Sequence, residues 1–238
     1  MKCITFYEHI GEGYEEEKNY DAALEAYVRA AKMRLRIQGP DHSDTATALY
    51  NFRRVQCCIV IDTFCKVGKM YTQQGKYPEA LQMHQEVLEF RLKTFGPDHP
   101  DTAATQNNIG LVLQGQGKYP EALDMLNSAL KTRVDKLGPD HLHVAGTRNN
   151  IAIIHAQQGE LVAALLMWED VLKIQVAKLG PDHLLAANTY SNIGTVYNRQ
   201  GNRVQAGEMW TKAYKIRLKE LGPGHPSTQA LKPFTNEP

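Results

Sequence analysis

The chain has 238 residues, with 27 Lys plus Arg against 26 Asp plus Glu and a formal net charge of +1; that balance provides no global field to draw it to nucleic acid or an anionic membrane. Four cysteines are too few for a disulfide scaffold at this length, and three crowd into residues 57–65, so reduced thiols and a cytoplasmic setting are expected. No stretch reaches the roughly 18 apolar residues of a membrane span, and the run Cys3-Ile4-Thr5-Phe6-Tyr7 is too short for a signal peptide core.

A cassette divides the chain. Gly-Pro-(Asp/Gly)-His begins at Gly39, Gly96, Gly138, Gly180 and Gly222. The last three intervals are each 42 residues and the first is 57. A fixed period in this range signals stacked repeats. The prediction is an all-α, right-handed α-solenoid of about five helix-turn-helix units, forming one array over residues 3–225 with a tail at 226–238.

The first unit covers about 3–38, with Gly11 and Ala23 where two helices touch and Tyr27 beside them. The second, about 43–95, departs from the pattern. Tyr50-Asn51 matches Asn107-Asn108 and Val67-Gly68 matches Ile109-Gly110, leaving residues 52–66 as an insert that accounts for the longer interval. Neither Gly nor Pro occurs from Ser43 to Lys66, so nothing local breaks a helix there. Fifteen residues advance a helix about 1500°, some 60° past four full turns. One long helix over residues 43–74, or two meeting within 52–66, is expected to project from the stack. Cys57, Cys58 and Cys65 lack the paired short spacings of structural zinc ligands. Between a docking protrusion and a retained untranslated segment, the clean rejoining of register favours the latter.

The third unit, about 100–137, shows the logic most clearly. Ile109, Gly110 and Leu113 fall on one side of its first helix, with Ala104, Asn107, Leu111 and Gln114 on the other. Gly117 can take the positive φ that ends the helix. A second helix starts near Pro120, with Ala122, Leu123, Leu126, Ala129 and Leu130 as its apolar stripe. The fourth and fifth units, about 142–179 and 184–221, repeat this text. Small residues pair again at Gly68 with Ala80, Gly110 with Ala122, Ala152 with Ala164 and Gly194 with Ala206, and Trp168 and Trp210 are read as core beside them. One hairpin cannot bury its own apolar face, so stacking creates the core. The tail begins another helix that Pro233 would interrupt, and Met1 falls inside a first helix.

The repeated Asp-His pairs invite a metal reading. Successive units are roughly 10 Å apart by packed-helix spacing, so neighbouring pairs could hardly share an ion. Capping of the following helix is expected instead, ahead of Pro100 and Pro226 at first helical turns. No nucleophile elbow, zincin, P-loop or dinucleotide-binding pattern occurs. The reading is therefore no enzyme, no cofactor, no metal and no small-molecule substrate.

The small and aromatic positions together resemble the tetratricopeptide repeat. The 42-residue spacing, with Asn-Asn-Ile-Gly, Gln-Gly-Lys-Tyr-Pro-Glu-Ala-Leu and Gly-Pro-Asp-His, resembles the kinesin light chain type of that repeat. The resemblance spans nearly the whole chain. It implies a concave groove lined by the first helices, through positions three before and one, four and five after the conserved small residue. Carried over, these are Glu8, Glu12, Glu15 and Glu16, then Lys69, Thr72 and Gln73. They continue with Asn107, Leu111 and Gln114, with Asn149, Ile153, Ala156 and Gln157, and with Ser191, Thr195, Asn198 and Arg199. Amides can donate and accept together and so hold an extended peptide, whereas Asn108, Asn150 and Asn192 read as links between helices. The function implied is a non-catalytic adaptor whose groove receives a peptide or helix of a protein partner. The alternative is a regulatory repeat fragment of a larger multidomain protein, for example a nucleotide-binding or enzyme-linked one.

Overall fold

A computed structural model describes residues 2–17, 19–39 and 42–234; the side chains of residues 52–59 and a few others lie outside that description. The described residues form an α-solenoid and contain no strand. Five helical pairs follow in order: α1 (Lys2–Glu16) with α2 (Tyr20–Gln38), α3 (Ser43–Gln73) with α4 (Tyr77–Phe95), and α5 (Pro100–Gly115) with α6 (Tyr119–Leu137). Then come α7 (Leu142–Gln158) with α8 (Leu161–Leu179), and α9 (Leu184–Arg199) with α10 (Arg203–Leu221). A short α11 (Pro226–Gln229) and a 3-10 turn (Lys232–Phe234) complete it.

Each pair closes through one notch. The small residue of the first helix leaves room for a large side chain 16 positions later. A Cβ at Gly11, Gly68, Gly110 or Gly194 would lie 2.7 Å from Tyr27, His84, Leu126 or Trp210 respectively. In the fourth unit Ala152 and Trp168 share one buried cluster. Stacking then builds the core between units: Leu126 of α6 packs with Ile109 and Leu113 of α5 and with Ile151 and Ile154 of α7. Burying a side chain such as Leu126 contributes about 1.5–3 kcal/mol.

The cassette works as a stop and a start. Its glycine ends the second helix with positive φ, as at Gly138 (φ 84), a conformation that disfavours a side chain. Its histidine is the N-cap of the next helix. Nδ1 of His42, His99, His141, His183 and His225 accepts the backbone N–H two residues on, at 3.0–3.2 Å. The imidazole satisfies the open helix end, and at His99, His141 and His183 it does so in place of the preceding aspartate.

A second periodic device was not legible in the sequence. Arg91 Nη1 donates to the Asp101 carbonyl (2.8 Å) and Thr105 Oγ1 (2.7 Å). Arg133 does the same to the His143 carbonyl (3.1 Å) and Thr147 Oγ1 (2.6 Å). Each arginine thus ties a second helix to the first turn of the next unit. Gln175 takes this place in the fourth unit, accepting from Thr189 Oγ1 at 2.8 Å. In the first unit Arg34 bonds Glu8 (2.7 and 2.8 Å) and Asp44 (2.7 Å).

The insert is helical. α3 is continuous through residues 52–66 and 31 residues long, about 46 Å. Its start meets Arg34 at Asp44, and its end receives His84 at Gly68. The first pair is thereby set about 22 Å further along the helix axis than a regular unit would be. Cys65 is buried with a free thiol, and burial pushes that thiol up; the side chains of Cys57 and Cys58 lie outside the described residues. Among the described residues no group of three or more His, Cys, Asp or Glu side chains could hold a metal ion. No described helix is long and apolar enough to cross a membrane. At the far end the tail turns back after Gln229, burying Thr228 and Leu231 and laying the Phe234 ring 5.0 Å from that of Trp210.

Candidate functional site

The positions expected of a groove lie on the first helices. In α3, Lys69, Thr72 and Gln73 recur at spacings of three and four; in α5, Asn108, Leu111 and Gln114 are three apart. Such spacings place each set on one helix face. Two adjoining recesses lie between them. One, of about 210 Å³, is lined by Lys69, Thr72, Gln73, His84, Asn108 and Leu111. The other, of about 710 Å³, has Thr72, Tyr77, Leu111, Gln114, Tyr119 and Gln157 among its walls. Thr72 and Leu111 line both, so the two recesses adjoin, and together they are called the trough between the second and third units. Gly115 shapes it by admitting the Tyr77 ring, which any Cβ there would strike. Across the trough Gln114 donates to Gln157 at 3.0 Å.

Six of the expected groove residues therefore come together: Lys69, Thr72, Gln73, Leu111, Gln114 and Gln157. Several others are placed differently. Asn107 is buried, and its Oδ1 accepts from Asn150 of the next unit at 3.2 Å. Asn149 Oδ1 accepts the Trp168 indole N–H at 2.9 Å. Ile153 packs on the cluster containing Trp168 and Ile193. The Ser191 carbonyl accepts the Trp210 indole N–H at 3.3 Å. Arg199 donates to the Ala156 carbonyl at the end of α7, and Asn198 lines a separate recess beside Trp210 and Phe234. In the first unit Glu8 is held by Arg34 and Glu15 accepts from Tyr27.

His84 was missed. It occupies the notch position that elsewhere holds Tyr27, Leu126, Trp168 or Trp210, is 1% exposed, and its Nδ1 has no hydrogen-bond partner. Burial first, then the charges of Lys69 and Arg91, push it down to about 4. Near neutrality it is therefore an uncharged imidazole beside the trough's single lining charge, Lys69. Its signal was present as a histidine 16 positions after a notch glycine.

Helix pairs closing on small residues, caps at a fixed period and a face of first helices define a helical-repeat protein. The tetratricopeptide repeat family matches residues 60–133 and 143–219, more than half of the chain, and the chain belongs to that family. The match begins within α3, so the first pair lies outside it. Among solved structures, the nearly identical TPR-like repeats of a Podosopora anserina protein assigned as a kinesin light chain align with a TM-score of 0.62. They are 22% identical, over 73% of this chain and 82% of that one. BtubC (BKLC) of P. vanneervenii aligns with a TM-score of 0.63 at 19% identity, over 94% and 93%. At these identities the likeness is one of fold. No curated protein matches the chain.

Proposed function

We propose that this chain is a non-catalytic adaptor that receives an extended peptide or helix of a protein partner on its first-helix face. The observation that carries the reading is the trough between α3 and α5, where amides, two tyrosines and one lysine surround the apolar Leu111. Amides and hydroxyls can meet both the N–H and the C=O of a peptide backbone, and such clefts suit peptide recognition. The kinesin light chain-type resemblance makes cargo-like protein segments the natural partners.

The test is selection from a displayed random-peptide library against the purified chain. Gln114→Arg with Gln157→Arg puts two like charges where a hydrogen bond spans the trough. Selected peptides should lose binding to this double variant, provided its circular dichroism melt is unchanged. They should keep binding to Lys173→Glu, an exposed change on α8. If the peptides bind all three proteins alike, the trough is not the site.

A further inference from the structure

The His84 recess carries a further inference, which rests on the groove reading. A buried imidazole normally has partners for its nitrogens, and the other four units fill this position with Tyr, Leu or Trp. Here the ring is 1% exposed, its Nδ1 is unpartnered, and it forms a wall of the 210 Å³ recess rather than sealing it. The recess opens between α3 and α5 beside Lys69 and has Leu111 as an apolar wall. Lys69 on α3 and Arg91 on α4 itself are the charges that act on His84; α5 presents only the neutral Asn108 and Leu111 to the recess. Both charges are positive, so an empty recess disfavours the imidazolium. A negative group entering the recess reverses that balance, because an opposite charge at contact distance favours the charged form.

We propose that this recess is a proton-linked subsite of the groove, in which a carboxylate side chain of the partner enters beside Lys69 and is bound by His84 as the imidazolium. The proton comes from solvent and leaves when the partner does. A side chain is the source, since the recess adjoins the larger one at Thr72 and Leu111, where the partner's chain has room to pass on. A methylene stem lies against Leu111 while the carboxylate meets the two cations. If the carboxylate returns His84 to the ordinary histidine range, binding tightens about tenfold from pH 7.5 to 5.5.

The test uses the whole chain with histidine Cε1 labelled for NMR, His84 being assigned by its absence in His84→Leu. Three probes are titrated: acetyl-Gly-Glu-Gly-amide, its Gln counterpart, and acetyl-Gly-Gly-Gly with a free terminal carboxylate. The Glu probe should raise the His84 titration midpoint by about one pH unit or more, and the Gln probe should leave it in place. Lys69→Met, a change at an exposed position, should weaken the Glu response several-fold while the spectrum stays folded. Equal responses to Glu and Gln probes, or none to either, overturn the proposal. A response to the terminal carboxylate alone overturns the side-chain source. The groove reading has its own readout. If library-selected peptides bind the trough equally at pH 7.5 and 5.5 and leave His84 unmoved, this inference fails while the groove stands. If no peptide depends on the trough, the groove reading fails first.

Discussion

Replacing His84 by Leu should stabilise the protein, and more so as the pH falls. Leu already fills the corresponding notch at Leu126 against Gly110. Near neutrality the substitution removes a buried polar group whose Nδ1 lacks a partner, which costs about 1–3 kcal/mol to bury. The pH term has a definite sign. His84 sits near 4 in the fold against 6.5 in an open chain, so the folded state disfavours its proton. Stability from the neutral ring is fully present above pH 6.5 and is lost as pH falls toward 4, where both states carry the proton. The full loss is about 3 kcal/mol, and about 2 kcal/mol of it is gone by pH 5. The variant lacks this loss, and the five cap histidines, common to both proteins, cancel in the difference. Urea unfolding followed by circular dichroism at pH 7.5, 6.5 and 5 measures it. With an m-value near 2 kcal/mol/M, the midpoint gap should widen by ~1 M across that range. A gap that stays constant, or one that closes on acidification, refutes the reasoning.

Four further outcomes are expected. Gly110→Leu should lower the melting temperature by overpacking, at about 1–3 kcal/mol, since even its Cβ would lie 2.7 Å from Leu126. Arg133→Met should cost about 1–3 kcal/mol in urea unfolding, because the Thr147 hydroxyl loses the donor it accepts from and the first-turn carbonyl of α7 loses one of its donors. Asn149→Ala should also melt early, by about 1–3 kcal/mol, as the Trp168 indole N–H loses its acceptor; a normal melt with weakened peptide binding would instead put Asn149 in the groove. Deleting residues 52–66 should raise the melting temperature by returning the first pair to the regular register, whereas a lower one would show that the lengthened α3 packs usefully.

The period of the cassette determined the architecture, because Gly-Pro punctuation and small residues at fixed spacing act locally and recur wherever the text recurs. The same text located Gly117 and Gly138 at helix ends and paired Gly110 with the second helix of its unit. Continuity of α3 was also legible, since a segment without Gly or Pro offers no local reason to break. The trough itself was half legible. Positions such as Lys69, Leu111, Gln114 and Gln157 came from the resemblance to the tetratricopeptide repeat, carried over position by position, but which of them share a recess depends on how units stack. Only the tertiary structure decided the fate of the amides. Asn107 and Asn149 look alike in sequence, yet one bonds Asn150 of the next unit and the other the Trp168 indole within its own. The arginine ties from Arg91 and Arg133 were hidden for the same reason: their acceptors are backbone carbonyls and a threonine across a unit boundary, and carbonyls carry no sequence signature. His84 shows the division most sharply. Its identity and register are written in the chain, but its burial, its unpartnered nitrogen and the nearness of Lys69 and Arg91 come only from packing three helices around it. Local chemistry is encoded residue by residue, whereas desolvation and charge proximity belong to the assembled stack.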